Sequence, residues 1–459
     1  MNVHDLRNRK VSVIGAARSG TAAAKLLRSQ GAQVFVSDKE PADKLPAFGG
    51  QSQIQNLQSA GIPFETGGHS DRVYDCSLMV ISPGVPSTSP VVVEAQGRGI
   101  KVVSELELAS WFCKAPILAV TGSNGKTTTT TLLGRIFENT KRKSVVAGNI
   151  GTAFSNFVLD LDQKSVAIVE VSSFQLDHIE TFHPKVSILL NITPDHLDRY
   201  GKSFENYIAS KSRVFENQTM DDFLIYNFDD PVTSLEVRKH AATHVQALPF
   251  SVKMRLDTGA YVENGTVKLS MSGRGDEIVA AKDISIRGVH NLYNSMAAAL
   301  SARVMGISAE VISRTLKTFE GVEHRLEFVR VVNGVKYVND SKATNVDSVW
   351  YALQSFEEPL IVLLGGRDKG NDYSRLYDLV RERVKAIIGI GESAEKVSQA
   401  FRDLTTVDKA RSMEEAVQKA AALATRGDVV LLSPACASFD WFENFEHRGR
   451  VFKEIVHRL

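Results

Sequence analysis

Residues 118–129 read Leu-Ala-Val-Thr-Gly-Ser-Asn-Gly-Lys-Thr-Thr-Thr, a glycine-rich turn ending in Lys-Thr directly behind a short apolar strand. Strand, turn and helix in that order make a phosphate cradle. Residues 117–120 read as a buried strand and 127–138 as the following helix. Between them Gly122, Ser123, Asn124 and Gly125 form a tight loop whose backbone N–H groups turn inward. Lys126 then neutralises charge on the β- and γ-phosphates, the hydroxyl of Thr127 is placed for Mg²⁺, and Gly122 through Thr128 together make up the expected ATP-binding loop. The general pattern G-x-x-x-x-G-K-[ST] asks for glycine at position 120, where this chain has Val120. A nucleoside triphosphate is expected here, on a loop that departs from the common form.

Outward from the cradle, short apolar runs alternate with helical patterns along most of the chain, which predicts an α/β fold with parallel sheets. At 459 residues and about 150 residues per domain, three domains are expected. The first, 1–104, opens with a strand at 11–14, the turn Gly15-Ala16-Ala17-Arg18-Ser19-Gly20, a helix at 21–30 and a strand at 34–37 ending on Asp38, a Rossmann-like unit. The second, 105–321, carries the cradle on a parallel sheet. It also holds Tyr261-Val262-Glu263-Asn264-Gly265-Thr266-Val267, whose Asn-Gly between alternating residues predicts a hairpin and a small antiparallel patch. The third, 322–459, has strands at 360–364, 386–390 and 429–432 and reads as a further Rossmann-like domain.

Composition narrows the function. Lys and Arg number 54 against 53 Asp and Glu, a net charge of +1, so no field for nucleic acid is written over the chain. The three cysteines, Cys76, Cys113 and Cys436, lie far apart with no C-x-x-C, giving neither a disulfide framework nor a zinc pattern. No apolar run reaches membrane-spanning length, and the 11–17 run meets Arg18 too early for a signal peptide. A cytoplasmic protein without membrane or nucleic-acid partners is expected.

Several other stretches carry chemistry. Gly15-x-Ala17-x-x-Gly20 approaches G-x-G-x-x-G, with Asp38 where a ribose-binding acid sits. Ala17 replaces the glycine that admits a dinucleotide pyrophosphate. The helix N-terminus could still hold another diphosphate, such as that of a nucleotide sugar, or the turn could be structural alone. Glu170 ends an apolar strand at 165–171, and Asp195-His196-Leu197-Asp198-Arg199-Tyr200 follows another at 186–191. Both lie at strand C-terminal ends, where open sheets bind ligands. Glu170 suits a first Mg²⁺ beside Thr127; His196 suits either a second ion or a loop hydrogen bond. Lys211, on a helix at 204–216, reads by itself as a solvated lysine. His324-Arg325-Leu326-Glu327 and Asn339-Asp340-Ser341-Lys342-Ala343-Thr344-Asn345 are dense in groups that suit ribose and phosphates, or simply turns.

Taken in order, these motifs resemble the Mur ligases, the ATP-dependent amide-forming enzymes of peptidoglycan precursor assembly. T-G-S-N-G-K-T-T at 121–128 is followed by G-N-I-G at 148–151, E-V-S-S-F-Q-L at 170–176, D-H-L-D-R-Y at 195–200, Lys211, H-N-L-Y-N at 290–294, H-R-L-E and N-D-S-K-A-T-N. Val-Ser-Ser-Phe-Gln-Leu, Leu364-Gly365-Gly366 with Lys369, and Ser433-Pro-Ala-Cys-Ala-Ser-Phe-Asp440 are most similar to the D-glutamate-adding branch. The resemblance implies catalytic roles for Lys126, Glu170, His196 and Lys211. It further implies that Lys211 is carbamylated by CO₂ and joins His196 at a second Mg²⁺, with Thr127 and Glu170 at the first. ATP would also meet Asn294, Arg325, Asp340 and Lys342. Arg18, Ser19, Asp38, Ser82, Gly84 and Asn149 are similar to positions that hold the UDP-sugar substrate, although Lys39 and Glu40 follow Asp38 where a differently composed loop is expected. Thr344, Lys369, Ser438, Phe439 and Phe445 align with the D-glutamate region.

The implied reaction joins D-glutamate to UDP-N-acetylmuramoyl-L-alanine through an acyl phosphate, with ATP as co-substrate and two Mg²⁺, on a monomer. The alternatives are a Mur-type or folylpolyglutamate-type ligase with another acceptor, a nicotinamide-dependent dehydrogenase on the Gly15–Asp38 unit, and a nucleotide-gated switch. The segment before the cradle disfavours the folylpolyglutamate type. Ala17 and the second nucleotide cradle disfavour the dehydrogenase, and Glu170, His196 and Lys211 would be superfluous in a switch.

Overall fold

A computed structural model describes residues 6–45, 47–48, 51–240, 244–271, 274–368 and 370–459. Internal contacts gather into two units, Met1–Asp283 with Tyr293–Lys317, and Ile284–Leu292 with Thr318–Leu459. The first unit holds two large sheets and the second holds one.

The five-stranded sheet of the first unit runs, edge to edge, Phe64–Thr66, Gln33–Asp38, Lys10–Ile14, Leu78–Ile81 and Lys101–Ser104, all parallel. Its order reverses beside Lys10–Ile14. The loops after Ile14 and Ile81 therefore leave adjacent strand ends in opposite directions and open a crevice. The helix after the first strand, Arg18–Ser29, presents Ala22, Ala23, Leu26 and Leu27 to the core, the i, i+4 spacing that an amphipathic helix needs.

In the nine-stranded sheet the order from one edge is Ser144–Gly148, Val166–Glu170, Ile117–Thr121, Val186–Leu189, Phe223–Asn227, Gln246–Ser251, Gly259–Glu263, Thr266–Met271 and Arg274–Ala280. The three central parallel strands are buried throughout, because helices cover both faces of such a sheet and continuous Val, Ile and Leu runs lose water on either side. Each such side chain contributes about 1.5–3 kcal/mol on burial. The strand ahead of the cradle lies between Val166–Glu170 and Val186–Leu189, with Val120 opposite Glu170 and Thr121 opposite Leu189. Three loops thus leave the sheet side by side. The expected hairpin closes at Asn264 and Gly265, both with positive φ (51° and 72°), pairing Glu263 with Thr266; a third antiparallel strand extends that edge.

The six-stranded sheet of the second unit orders Glu327–Val332, Val335–Asn339, Val429–Leu432, Leu360–Gly365, Val384–Ile390 and Thr406–Lys409, antiparallel only at its first pair. One expected helix is shorter than its pattern. Residues 204–216 divide into an α-helix, Phe204–Ser212, capped by Ser203 at Asn206 N (3.2 Å), and a tighter 3₁₀ turn, Arg213–Phe215.

Candidate functional site

Gly125 begins the cradle helix in the left-handed region (φ 89°), and the helix runs Lys126–Glu138 without an acidic residue in its first turn. That N-terminus carries partial positive charge and backbone N–H groups suited to phosphate. A Cβ on residue 125 would stand 2.3 Å from Asn294 Oδ1, so only glycine fits against that amide. The loop is fastened from the next strand end: Asn124 N donates to Asn191 Oδ1 (2.8 Å), and Asn191 Nδ2 donates back to Asn124 O (3.0 Å). Ser123 Oγ donates to Thr193 O (2.8 Å) and accepts from Thr193 N (2.9 Å). Lys126 folds its ammonium over the turn, donating to Gly122 O (2.7 Å) and Ser123 O (2.9 Å). Thr128, one residue on from Thr127, is buried in the helix.

Glu170 lies buried beside this turn. Its Oε2 accepts from Thr127 Oγ1 (2.8 Å) and its Oε1 from Asn149 Nδ2 (3.1 Å). A hydroxyl oxygen and a carboxylate meeting where phosphates would lie form the hard-oxygen donor set that Mg²⁺ prefers, so the residues fit that ion.

Lys211 is the largest departure from the bare sequence reading. Only 1% of it is exposed. Its Nζ donates to Gly122 O (2.9 Å) and lies 4.8 Å from the centre of the Tyr207 ring. Burial foremost, and then the neighbouring Lys126 charge, push its ammonium pKa well below the ordinary value; Asp195, Glu170 and Asp177 oppose that more weakly. Both effects favour the neutral, nucleophilic amine over the ammonium. A neutral amine can add CO₂ and become an oxygen donor, so this residue fits a carbamate. His196 heads the turn Leu197–Tyr200 with φ 52° and packs edge-on to Phe174 at 5.2 Å, its side chain 41% exposed.

A cleft of about 630 Å³ opens at the sheet reversal of the five-stranded sheet, and Arg18, Ser19, Asp38, Ser82, Gly84 and Asn149 all line it. The turn beneath is tight: a Cβ on Gly20 would fall 1.7 Å from Gly15 O. Asp38 is already engaged, Oδ2 accepting from Ala16 N (2.6 Å) and Oδ1 from Glu40 N (2.9 Å), so it pins the turn as well as facing the cleft. Arg18 Nη1 donates to Gly151 O (2.9 Å), and Ser82 Oγ to Gly15 O (3.2 Å). Asn149 belongs to both places, lining the cleft and holding Glu170.

In the second unit Asp340 is buried, its Oδ2 accepting from Ser433 Oγ (2.9 Å) and its Oδ1 from Leu326 N (3.2 Å). Burial raises its pKa to about 6, against the pull of Arg325. Lys342 Nζ lies 5.2 Å above the Phe445 ring. Thr344 N donates to Lys342 O (2.9 Å), Ser438 is buried, and Phe439 leaves 60% of its surface exposed. Lys369 lies outside the described residues. Glu323, His324 and Glu327 could converge on an ion, but Lys453 Nζ already bridges Glu323 Oε1 (2.5 Å) and Glu327 Oε1 (2.8 Å) and supplies the positive charge there.

Some site residues escaped the sequence reading. Tyr207, four residues before Lys211 on the same helix face, contacts Ser123 Oγ (3.2 Å) as well as the lysine; the i, i+4 spacing was the available signal. Arg199 stacks on Phe174 at 4.3 Å and donates to Pro83 O (3.1 Å) and Gly84 O (2.8 Å), tying the His196 turn to the cleft. Buried Arg448 donates to Ser341 Oγ (2.9 Å), Ser341 O (2.7 Å) and Cys436 O (3.1 Å), and the Ser341 contacts reach across 107 positions, which no local pattern reveals.

Residues 10–91 match the model of the MurD N-terminal domain, 120–302 that of the Mur ligase middle domain, and 324–436 that of the Mur ligase, glutamate ligase domain. The chain is 46% identical over 467 residues to UDP-N-acetylmuramoylalanine--D-glutamate ligase of Salinibacter ruber, covering 100% of both chains. To the ligase of the same name from Chloroherpeton thalassium it is 45% identical, again over 100% of both. Among solved structures, UDP-N-acetylmuramate-alanine ligase from Thermotoga maritima is similar in fold at a TM-score of 0.62 and 19% identity, covering 98% of this chain and 100% of that one.

Proposed function

The chain belongs to the Mur ligase family, and from that premise we infer that it is the ATP-dependent ligase joining D-glutamate to UDP-N-acetylmuramoyl-L-alanine during peptidoglycan precursor synthesis. The observation that carries the reading is the continuous track in the first unit. Asn149 lines the cleft and donates to Glu170 Oε1, while Glu170 Oε2 meets Thr127 at the cradle. A nucleotide sugar in the cleft and a triphosphate on the cradle would therefore share one wall, as a reaction between the two substrates requires.

The substrate's alanyl carboxylate attacks the γ-phosphorus of ATP, giving an acyl phosphate and ADP. The amino group of D-glutamate then attacks the acyl carbon and expels phosphate. A free carboxylate resists an amine; an acyl phosphate gives it a good leaving group. Loop N–H groups and Lys126 stabilise the charge spreading over the transferred phosphoryl group, and alignment supplies most of the rest, about 7–11 kcal/mol for well-oriented reactants. Thr127 and Glu170 would hold one Mg²⁺, His196 and carbamylated Lys211 a second, and such ions neutralise phosphate charge when bound. Lys211 reaches that state when its neutral Nζ attacks the carbon of CO₂ and releases a proton to solvent. Arg18, Ser19, Asp38, Ser82 and Gly84 bind the nucleotide sugar. Asn294, Arg325, Asp340 and Lys342 serve ATP, and Thr344, Lys369, Ser438, Phe439 and Phe445 serve D-glutamate. Residues 1–104, 105–321 and 322–459 form the corresponding domains. No helix among the described residues is long and apolar enough to cross a membrane; the enzyme is proposed to act as a monomer on its small-molecule substrates in the cytoplasm.

The test is phosphate release with ATP, Mg²⁺ and UDP-N-acetylmuramoyl-L-alanine in the presence of D-glutamate, L-glutamate, L-lysine or meso-diaminopimelate. Stimulation by D-glutamate alone is expected. Release driven by another acceptor would reassign the substrate.

A further inference from the structure

The cleft has a direction. Its phosphate-type groups, Arg18 and the start of the helix Arg18–Ser29, lie at the turn after Lys10–Ile14. Passing outward along the sheet edge, the next strand ends on Asp38 and the edge strand Phe64–Thr66 leads to His69, which also lines the cleft. The opposite wall carries Asn149, joined to Glu170. A nucleotide sugar whose acyl end faces Asn149 places its base toward Asp38, Lys39 and His69.

His69 is held in one tautomer. Ser37 Oγ lies 2.7 Å from His69 Nδ1 and donates to Glu65 Oε1 at 2.7 Å. Glu65 also accepts from Ser70 N (2.9 Å) and Ser70 Oγ (2.6 Å), and its pKa is lowered by these hydrogen bonds despite partial burial. An ionised carboxylate only accepts, so the single Ser37 proton is committed to Glu65. The ring nitrogen facing Ser37 must then be the N–H donor. Nε2 is left as a lone-pair acceptor, and no hydrogen bond to it occurs among the described residues. Burial lowers the imidazole pKa, outweighing the opposite pull of Asp38 and Glu65, which keeps the ring neutral at pH 7.

We propose that His69 is a base-reading residue of the nucleotide-sugar cleft: its Nε2 accepts the imide N3–H of uracil, with Glu65 and Ser37 fixing the tautomer that makes this possible. Cytosine offers a lone pair at the same ring position, so two acceptors would face each other and the base would be rejected. The proposal rests on the cleft being the nucleotide-sugar site.

The test is competitive binding of UDP and CDP to the full chain and to His69→Phe and His69→Gln, by calorimetry at pH 7.5. Wild type is expected to prefer UDP. His69→Phe keeps a ring without an acceptor and should bring the UDP-to-CDP preference down by about tenfold, the loss typical of one hydrogen bond made in a partly desolvated site. His69→Gln offers an amide oxygen and should recover part of the preference. An unchanged preference in His69→Phe with UDP still bound overturns the base-reading role and leaves the cleft assignment standing. Binding of neither nucleotide to wild type overturns the cleft assignment itself. A purely structural role would weaken UDP and CDP alike and would also overturn the proposal.

Discussion

Replacing Lys211 by Met separates folding from chemistry, because the structure predicts opposite signs for the two. The native side chain donates one hydrogen bond, to Gly122 O, worth about 0.5–1.5 kcal/mol. Gly122 O keeps a partner in Lys126 Nζ at 2.7 Å, so no buried carbonyl is orphaned and the loss lies at the lower end. Against it stands the cost of burying a lysine whose ammonium form the site disfavours. The folded pKa is depressed below the unfolded value, so below the unfolded pKa the unfolded chain binds more protons, and stability rises with pH toward that value. Each unit of depression costs about 1.4 kcal/mol at pH 7. Methionine, of similar length, removes that cost. Lys211→Met should therefore melt at or above wild type at pH 7 in CO₂-free buffer, with its advantage shrinking toward pH 10. Phosphate release should fall by at least about a thousandfold, the scale on which a group acting at a transferred phosphoryl is felt. Bicarbonate should stabilise wild type and leave the variant unmoved. A variant that is less stable than wild type by a pH-independent margin, or that keeps activity within tenfold, refutes the reasoning.

Asn149→Ala removes the link between cleft and Glu170; steady-state kinetics should show both a higher KM for the UDP-sugar and a kcat lowered about 10- to 100-fold, whereas a change in KM alone would separate Asn149 from the cradle. Gly125→Ala forces a Cβ to 2.3 Å from Asn294 Oδ1 at φ 89°; left-handed strain alone costs about 1–2 kcal/mol, so the melting temperature should fall and nucleotide binding weaken, both read by ATP-titrated thermal shift. Asp340 has a folded pKa raised to about 6, so the folded state binds the extra proton between pH 4 and 6 and stability declines as pH rises through that window. Asp340→Asn removes a penalty on the order of 3 kcal/mol above pH 6 and should melt no lower than wild type at pH 7.5, the gap closing by pH 4, while ligase activity drops.

The parts legible in the sequence were those with a local cause. The cradle strand is a continuous buried apolar run before two glycines, and the hairpin is an Asn-Gly between alternating residues; both occur where those patterns place them. The Gly15–Asp38 unit was equally readable, since turn glycines and an acid after the second strand are short-range features. Lys211 was different. Its lowered pKa comes from burial and from the charge of Lys126, 85 positions away in sequence, and nothing around Ala209-Ser210-Lys211-Ser212 distinguishes it from a solvated lysine. Arg199 and Arg448 were hidden because most of their hydrogen bonds go to backbone carbonyls, which carry no side-chain signature. For Asn149 the resemblance implied only a nucleotide-sugar contact; its hydrogen bond to Glu170 appears when the loop is seen beside that strand end.

Cleft and cradle together activate the alanyl carboxylate as an acyl phosphate. The decisive experiment turns over UDP-N-acetylmuramoyl-L-alanine carrying ¹⁸O in that carboxylate with ATP, Mg²⁺ and D-glutamate, and examines the released phosphate by mass spectrometry. One ¹⁸O per phosphate is predicted, because the oxygen that attacks the γ-phosphorus leaves with it when the amine displaces phosphate. Phosphate free of label, alongside formation of the amide, would contradict the account.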